Sequence, residues 1–201
     1  STAQLVWGTS GERDPLGAAE WVLIAAQLAN TTAEGAAAFA SIASEYERVK
    51  GITDGVAFRP TVLLGGPYTD GSGACTWFPP GGNAYTAAFV RDAGGDYVYA
   101  GNETQYGGSL QLPCEEVLSG RASAVEFWAN SDLGTTSIHD LLVQRPELAA
   151  LTAVQCSNVW ERTKQQTSET ANNYFEGGFL YPCACPQRRL FLNLSDCVRR
   201  R

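Results

Sequence analysis

Methionine is absent from the 201 residues and histidine occurs once. No apolar run comes near the roughly 20 residues that a membrane-spanning helix requires. A natural translation product starts with methionine, so the chain is expected to be a processed or incomplete piece of a longer one. Positive charge is scarce as well. The formal net charge is -7, and the one basic cluster, Arg199, Arg200 and Arg201, reads as a solvated tail. Affinity for a phosphate backbone needs clustered Lys and Arg, so no nucleic-acid partner is expected.

Catalytic signatures are missing too. No G-x-S-x-G elbow is present, and Ser109 in Gly107-Gly108-Ser109 lacks the strand-turn-helix frame that would expose its hydroxyl. No G-x-x-x-x-G-K-[ST] loop exists. Gly65-Gly66-Pro67 follows an apolar run, but its proline removes an N–H that a phosphate loop would offer, so it reads as a turn. His139 stands beside Asp140 with no Ser or Cys in an activating motif and reads as a solvated side chain on a helix. Glu115 and Glu116 follow Pro113, where their charge complements the first turn of a helix. The chain therefore reads as non-catalytic, with no cofactor and no metal site.

What is present is a globular composition, 44% apolar and 17% charged, long enough for one substantial core. Six cysteines occur, at 75, 114, 156, 183, 185 and 197. Only Cys183 and Cys185 lie close in sequence, which does not make a zinc ribbon. Cys75 and Cys114 each sit at a strand-to-loop transition and are expected to be the closest pair in space. Sequons at Asn30, Asn102 and Asn193 lean toward a secreted setting.

The pattern along the chain alternates. Gln4–Trp7 reads as a strand; Asp14 caps a helix that begins on Pro15 and runs to about Asn30, and a second helix carries Phe39, Ile42 and Tyr46 to Gly51. Thr61–Leu64 has the continuous apolar character of a strand buried on both faces. Extended Cys75–Phe78 follows, then a helix capped by Asn83. Strand Tyr97–Tyr99, a short helix from Pro113, strand Ala124–Trp128, a helix from Ser137 broken at Pro146, and strand Asn158–Trp160 complete the order. Alternation at this interval predicts an α/β fold, a three-layer αβα sandwich with a mostly parallel sheet over about Arg59 to Trp160. Ligands of such sheets collect at the carboxyl ends of the strands, which places the loops starting at Gly65, Trp77, Asn130 and Glu161 on one edge.

Three segments carry a resemblance. Asp14-Pro15-Leu16-Gly17-Ala18-Ala19-Glu20-Trp21 resembles the P-L-G-R-A-E-W start of the helix joining the two lobes of ABC-importer solute-binding proteins of the iron-siderophore and cobalamin type. Trp77 to Tyr85, running into Asp92-Ala93-Gly94-Gly95-Asp96-Tyr97, is similar to their W-x-x-P-G-G-x-S-Y and D-A-G-G-D-Y stretches. Ala171-Asn172-Asn173-Tyr174-Phe175-Glu176-Gly177-Gly178 resembles their G-N-D-Y-W-E-S-G segment.

The resemblance implies an extracytoplasmic, periplasmic or cell-surface protein that catches a metal chelate and hands it to an ABC permease. Residues 1–58 would hold a strand, the connecting helix and a second helix; 59–182 the carboxyl-terminal α/β lobe; 183–201 an atypical Cys- and Arg-containing tail. A secreted or surface interaction protein that keeps this fold without transport is the alternative. For ligand contact the residues singled out are Trp77 and Trp128 at the strand-end edge, Glu12 in the loop before the connecting helix, and Arg162 and Asn173 after the last strand. Trp77 has two readings, an indole wall of the cleft or a core side chain, and Glu12 has two, cleft-proximal or solvated. Glu169 and Glu176 are the candidates for docking on permease arginines. Trp21 and Trp160 are assigned to the core.

Overall fold

The computed structural model describes residues 8, 11–129, 135 and 137–161. The expected strand Gln4–Trp7, the loop starting at Asn130 and every residue from Arg162 onward lie outside them.

The chain enters through a helical pair. Helix α1 spans Pro15–Leu28, and the Asp14 carboxylate accepts from the amides of Leu16 (2.8 Å) and Gly17 (3.3 Å). Those amides have no intrahelical partner, which is why Asp-Pro starts a helix so well. Asn30, at φ 57°, turns the chain, and α2 runs Thr32–Gly51 back along α1. The crossing is close because the contacting residues are small. A Cβ added at Gly35 would lie 2.2 Å from that of Ala26, so only glycine fits there.

Two sheets follow. The first contains β1 (Thr61–Leu64), β4 (Asp96–Tyr97), β6 (Phe127–Ala129) and β7 (Val159–Trp160), all parallel, in the order β4-β1-β6-β7. The second is antiparallel, with β2 (Pro67–Thr69), β3 (Cys75–Trp77) and β5 (Leu112–Pro113) in sequence order. Helix α3 (Tyr85–Asp92) links β3 to β4 and packs toward α1. Helix α4 (Cys114–Ser119), a 3-10 turn at Arg121–Ala124, α5 (Ile138–Gln144), a second 3-10 turn at Pro146–Ala150 and α6 (Thr152–Gln155) pack with one another. Right-handed crossovers put these two groups on opposite faces of the parallel sheet, and the sandwich has its three layers. Val62, Leu63, Val117, Val125, Leu141 and Leu148 fill the core, each with at most 1% exposure.

Several local expectations are corrected. Cys75–Phe78 is extended as expected, but its strand joins the small antiparallel sheet. Asn83 does not cap α3: Ala84 holds that position, while the Asn83 side chain bonds to the backbone of Thr104 as donor (2.8 Å) and acceptor (3.1 Å). Val98 and Tyr99 leave the strand for a turn in which Asn102 N–H reaches the Tyr99 carbonyl. Arg121–Ala124 is a 3-10 turn, so β6 starts later than the apolar run does. Trp21 and Trp160 are partly buried and not enclosed.

One buried polar group ties the helical pair to the sandwich. Asp92, 7% exposed, accepts from the Tyr46 hydroxyl (2.8 Å) and pairs with Arg91 (2.9 Å) and Lys50 (3.7 Å). Burial and the adjacent Asp92 carboxylate push the Tyr46 hydroxyl far above its ordinary range, and burial does the same to Tyr97. Both phenols thus stay protonated in the folded chain when the unfolded chain, with values of about 10, ionises them. Their contribution is fully present below that value and is lost as pH rises above it. Urea unfolding at about pH 8 and about pH 11 should show a lower unfolding free energy at the alkaline end, with a smaller drop in Tyr46→Phe; equal values would refute the linkage.

Candidate functional site at the carboxyl edge of the parallel sheet

The register aligns Leu64 with Ala129 and Ala129 with Trp160, so β1, β6 and β7 end level with one another. From β1 the chain leaves toward α3 on one face; from β6 it leaves toward α5 on the other. The crevice outside the ends of β1 and β6 is the point where the winding direction reverses, and open α/β sheets bind ligands there.

The β1 end is tightly built. Gly65 turns at φ 76°, and a Cβ there would meet the Phe78 carbonyl at 2.7 Å, so the backbone after β3 is pressed against the end of β1. Trp77 and Trp128 lie below. Each is fully enclosed (0% exposed), their rings sit 5.2 Å apart at 46°, and their indoles donate to the carbonyls of Leu64 (3.3 Å) and Gly65 (2.6 Å). Of the two readings of Trp77 the core one holds, and Trp128, expected at the strand-end edge, is enclosed with it: an indole must pair its N–H when buried, and the last carbonyl of β1 and the next one along supply the partners. They form the floor under the crevice and not its wall.

The exposed aromatic side chains are elsewhere, and sequence reasoning missed them. Among the described residues four large aromatics are exposed: Phe58, Tyr68, Phe78 and Tyr106. Phe58 precedes β1 at its amino end. The other three stand in segments that leave the carboxyl ends of β1 and β4. Tyr68 and Phe78 face each other across β2 and β3, with ring centroids 6.3 Å apart in an edge-on arrangement. Tyr106 lies in the loop after β4 at φ 56°, a left-handed conformation uncommon for a non-glycine residue. A signal did exist, since Tyr68 follows the Gly65-Gly66-Pro67 turn and Phe78 precedes Pro79-Pro80. Periodicity alone could not say which of Trp77 and Phe78 faces solvent.

The β2–β3 hairpin is fastened at its turn. At its tip the Asp70 carboxylate accepts from Ser72 O–H (2.6 Å), Ser72 N–H (2.9 Å) and Ala74 N–H (3.0 Å), which hold it below the usual carboxylate range. At the same end, where Cys75 pairs with Thr69 as β3 begins, a disulfide joins Cys75 to Cys114, as expected, with Cα atoms 5.5 Å apart. Arg145 lies beside it, 3.0 Å from the Cys75 sulfur.

Glu12 is not brought to this edge. Its carboxylate accepts from the Trp21 indole (2.9 Å), and the start of α1 lies near Tyr46 and Asp92, at the amino ends of the strands. Arg162, Glu169, Asn173 and Glu176 fall outside the described residues. Among the described residues no three His, Cys, Asp or Glu side chains converge, and no helix is long and apolar enough to cross a membrane. His139, Glu115 and Glu116 are exposed on their short helices.

The family profile described as Periplasmic binding protein matches residues 5–165. The chain belongs to that family. No curated protein aligns with it. Among solved structures it is similar to the periplasmic heme-binding protein BhuT, determined with two hemes, at 21% identity and a TM-score of 0.62 over 92% of this chain and 64% of that one. The heme-binding protein RhuT from Roseiflexus is similar at 17% identity and a TM-score of 0.60, over 90% and 62%. A possible iron-binding solute-binding protein from Staphylococcus epidermidis is similar at 7% identity and 0.56, over 75% and 54%. At these identities the likeness establishes the fold. The chain spans between about half and two thirds of the length of these relatives.

Proposed function

We propose that this family member is one lobe, with its connecting helices, of an extracytoplasmic solute-binding protein that captures an iron chelate for an ABC importer. The observation that carries the reading is the concentration of exposed aromatic side chains at the carboxyl edge of the parallel sheet, above an enclosed tryptophan floor. Capture sites are apolar walls with a few precisely placed polar groups. The relatives whose names print heme or iron point to the ligand class. The disulfide suits an oxidising compartment. In this reading Arg162 and Asn173 contact the ligand, and Glu169 or Glu176 meets permease arginines.

A thermal-shift series with hemin, a ferric hydroxamate and cyanocobalamin tests it. A ligand present at about 100 times its dissociation constant adds about 2.7 kcal/mol, so one of the chelates should raise the Tm by several degrees. No shift with any of the three would overturn the reading. That outcome would favour the surface interaction protein, for which the exposure of Asn30 and Asn102 at their sequons speaks.

A further inference from the structure

We infer that Tyr68 and Phe78 form a preorganised aromatic face that selects a flat, conjugated metal chelate, of the porphyrin class, over a non-planar aliphatic one. The inference rests on the capture reading and names what its site prefers.

Three observations carry it. The two rings are neighbours, exposed by 61% and 37%, and they belong to a hairpin that springs directly from the end of β1. Nothing in that hairpin needs to be ordered on binding. Pro67 and Pro79 are both buried next to the exposed rings, and the Asp70 turn and the adjoining Cys75–Cys114 disulfide fasten the tip. Gly65 presses on the Phe78 carbonyl, which sets the backbone from which that ring projects. Ordering costs are met in folding, so stacking contributes to affinity with little entropic loss.

The chemistry follows from the side chains. A ring face carries a quadrupole and stacks best on another extended π system, whereas an aliphatic hydroxamate offers such a surface no more than ordinary apolar contact. Among the described residues the hairpin rings have no charged side chain bonded to them that would serve as a polar clamp. Selection here is by shape and by π surface.

The test uses the 201-residue chain and two probes, hemin and ferric desferrioxamine, titrated against wild type and a Tyr68→Leu/Phe78→Leu double variant that keeps apolar bulk but removes both rings. Circular dichroism and Tm confirm that the variant is folded. Wild type should bind hemin more tightly than the hydroxamate, and the variant should lose about tenfold or more for hemin while staying within about twofold for the hydroxamate. Equal weakening of both probes, no weakening of hemin, or wild type preferring the hydroxamate would overturn this inference and leave the capture reading in place. Failure of wild type to bind any chelate would overturn both.

Discussion

Truncating Trp77 to alanine is expected to lower the unfolding free energy by about 3–5 kcal/mol, read as a large drop in the urea midpoint at unchanged slope. The ring is wholly enclosed, touches Trp128 and donates its N–H to Leu64, so its removal leaves a cavity and an unpaired carbonyl together. Domains of this kind hold only about 5–15 kcal/mol in total, so the loss is severe. Phe78→Ala, one residue on and over a third exposed, should cost about 1 kcal/mol or less. The contrast is the decisive reading. If Trp77→Ala kept its stability and lost chelate affinity, the indole would belong to the cleft wall after all.

The second large effect concerns the disulfide. Replacing Cys75 and Cys114 together by serine should destabilise the chain by about 4 kcal/mol, the chain-entropy cost of opening a loop of some 40 residues, given their separation of 39. The bridge joins β3 to the first turn of α4, and so fastens the small antiparallel sheet to the helix layer on the far face. Denaturation with and without a reductant checks this in wild type. A reduced protein as stable as the oxidised one would show that the packing of Cys114 and Val117 already holds the hairpin. Cys156, exposed and free, supplies the control: Cys156→Ser should leave the midpoint unchanged.

Local signals were legible wherever one short segment decides its own structure. Asp14-Pro15 starts α1 because the carboxylate and the proline act on amides within one turn. Thr61–Leu64 is a strand of the central sheet, since an unbroken apolar run of β-formers needs cover on both faces. Cys75 and Cys114 could be paired because both stand at strand-to-loop transitions. The signals failed where a remote partner outweighs a local preference. Asn83 is a good cap by type, yet the Thr104 backbone captures its amide across 21 residues. Ala124 and Val125 belong to an apolar run, but the turn after α4 claims Ala124 before the sheet can.

The candidate site divides along the same line. By itself the sequence determined the family, through its Asp-Pro-Leu-Gly and Trp-to-Tyr segments, and the parallel α/β layering, since these depend on patterns within a few tens of residues. Only the tertiary structure decided which aromatic side chains stand exposed at the carboxyl edge of the sheet. Trp77 and Phe78 are adjacent in sequence and point to opposite faces of one strand, and the side that is buried depends on where Leu64, Gly65 and Trp128 arrive from elsewhere in the chain. Glu12 is set in the same way. Its loop precedes a helix whose packing on α2 brings the capping Asp14 within electrostatic reach of the Tyr46 hydroxyl, and the Glu12 carboxylate accepts from the Trp21 indole.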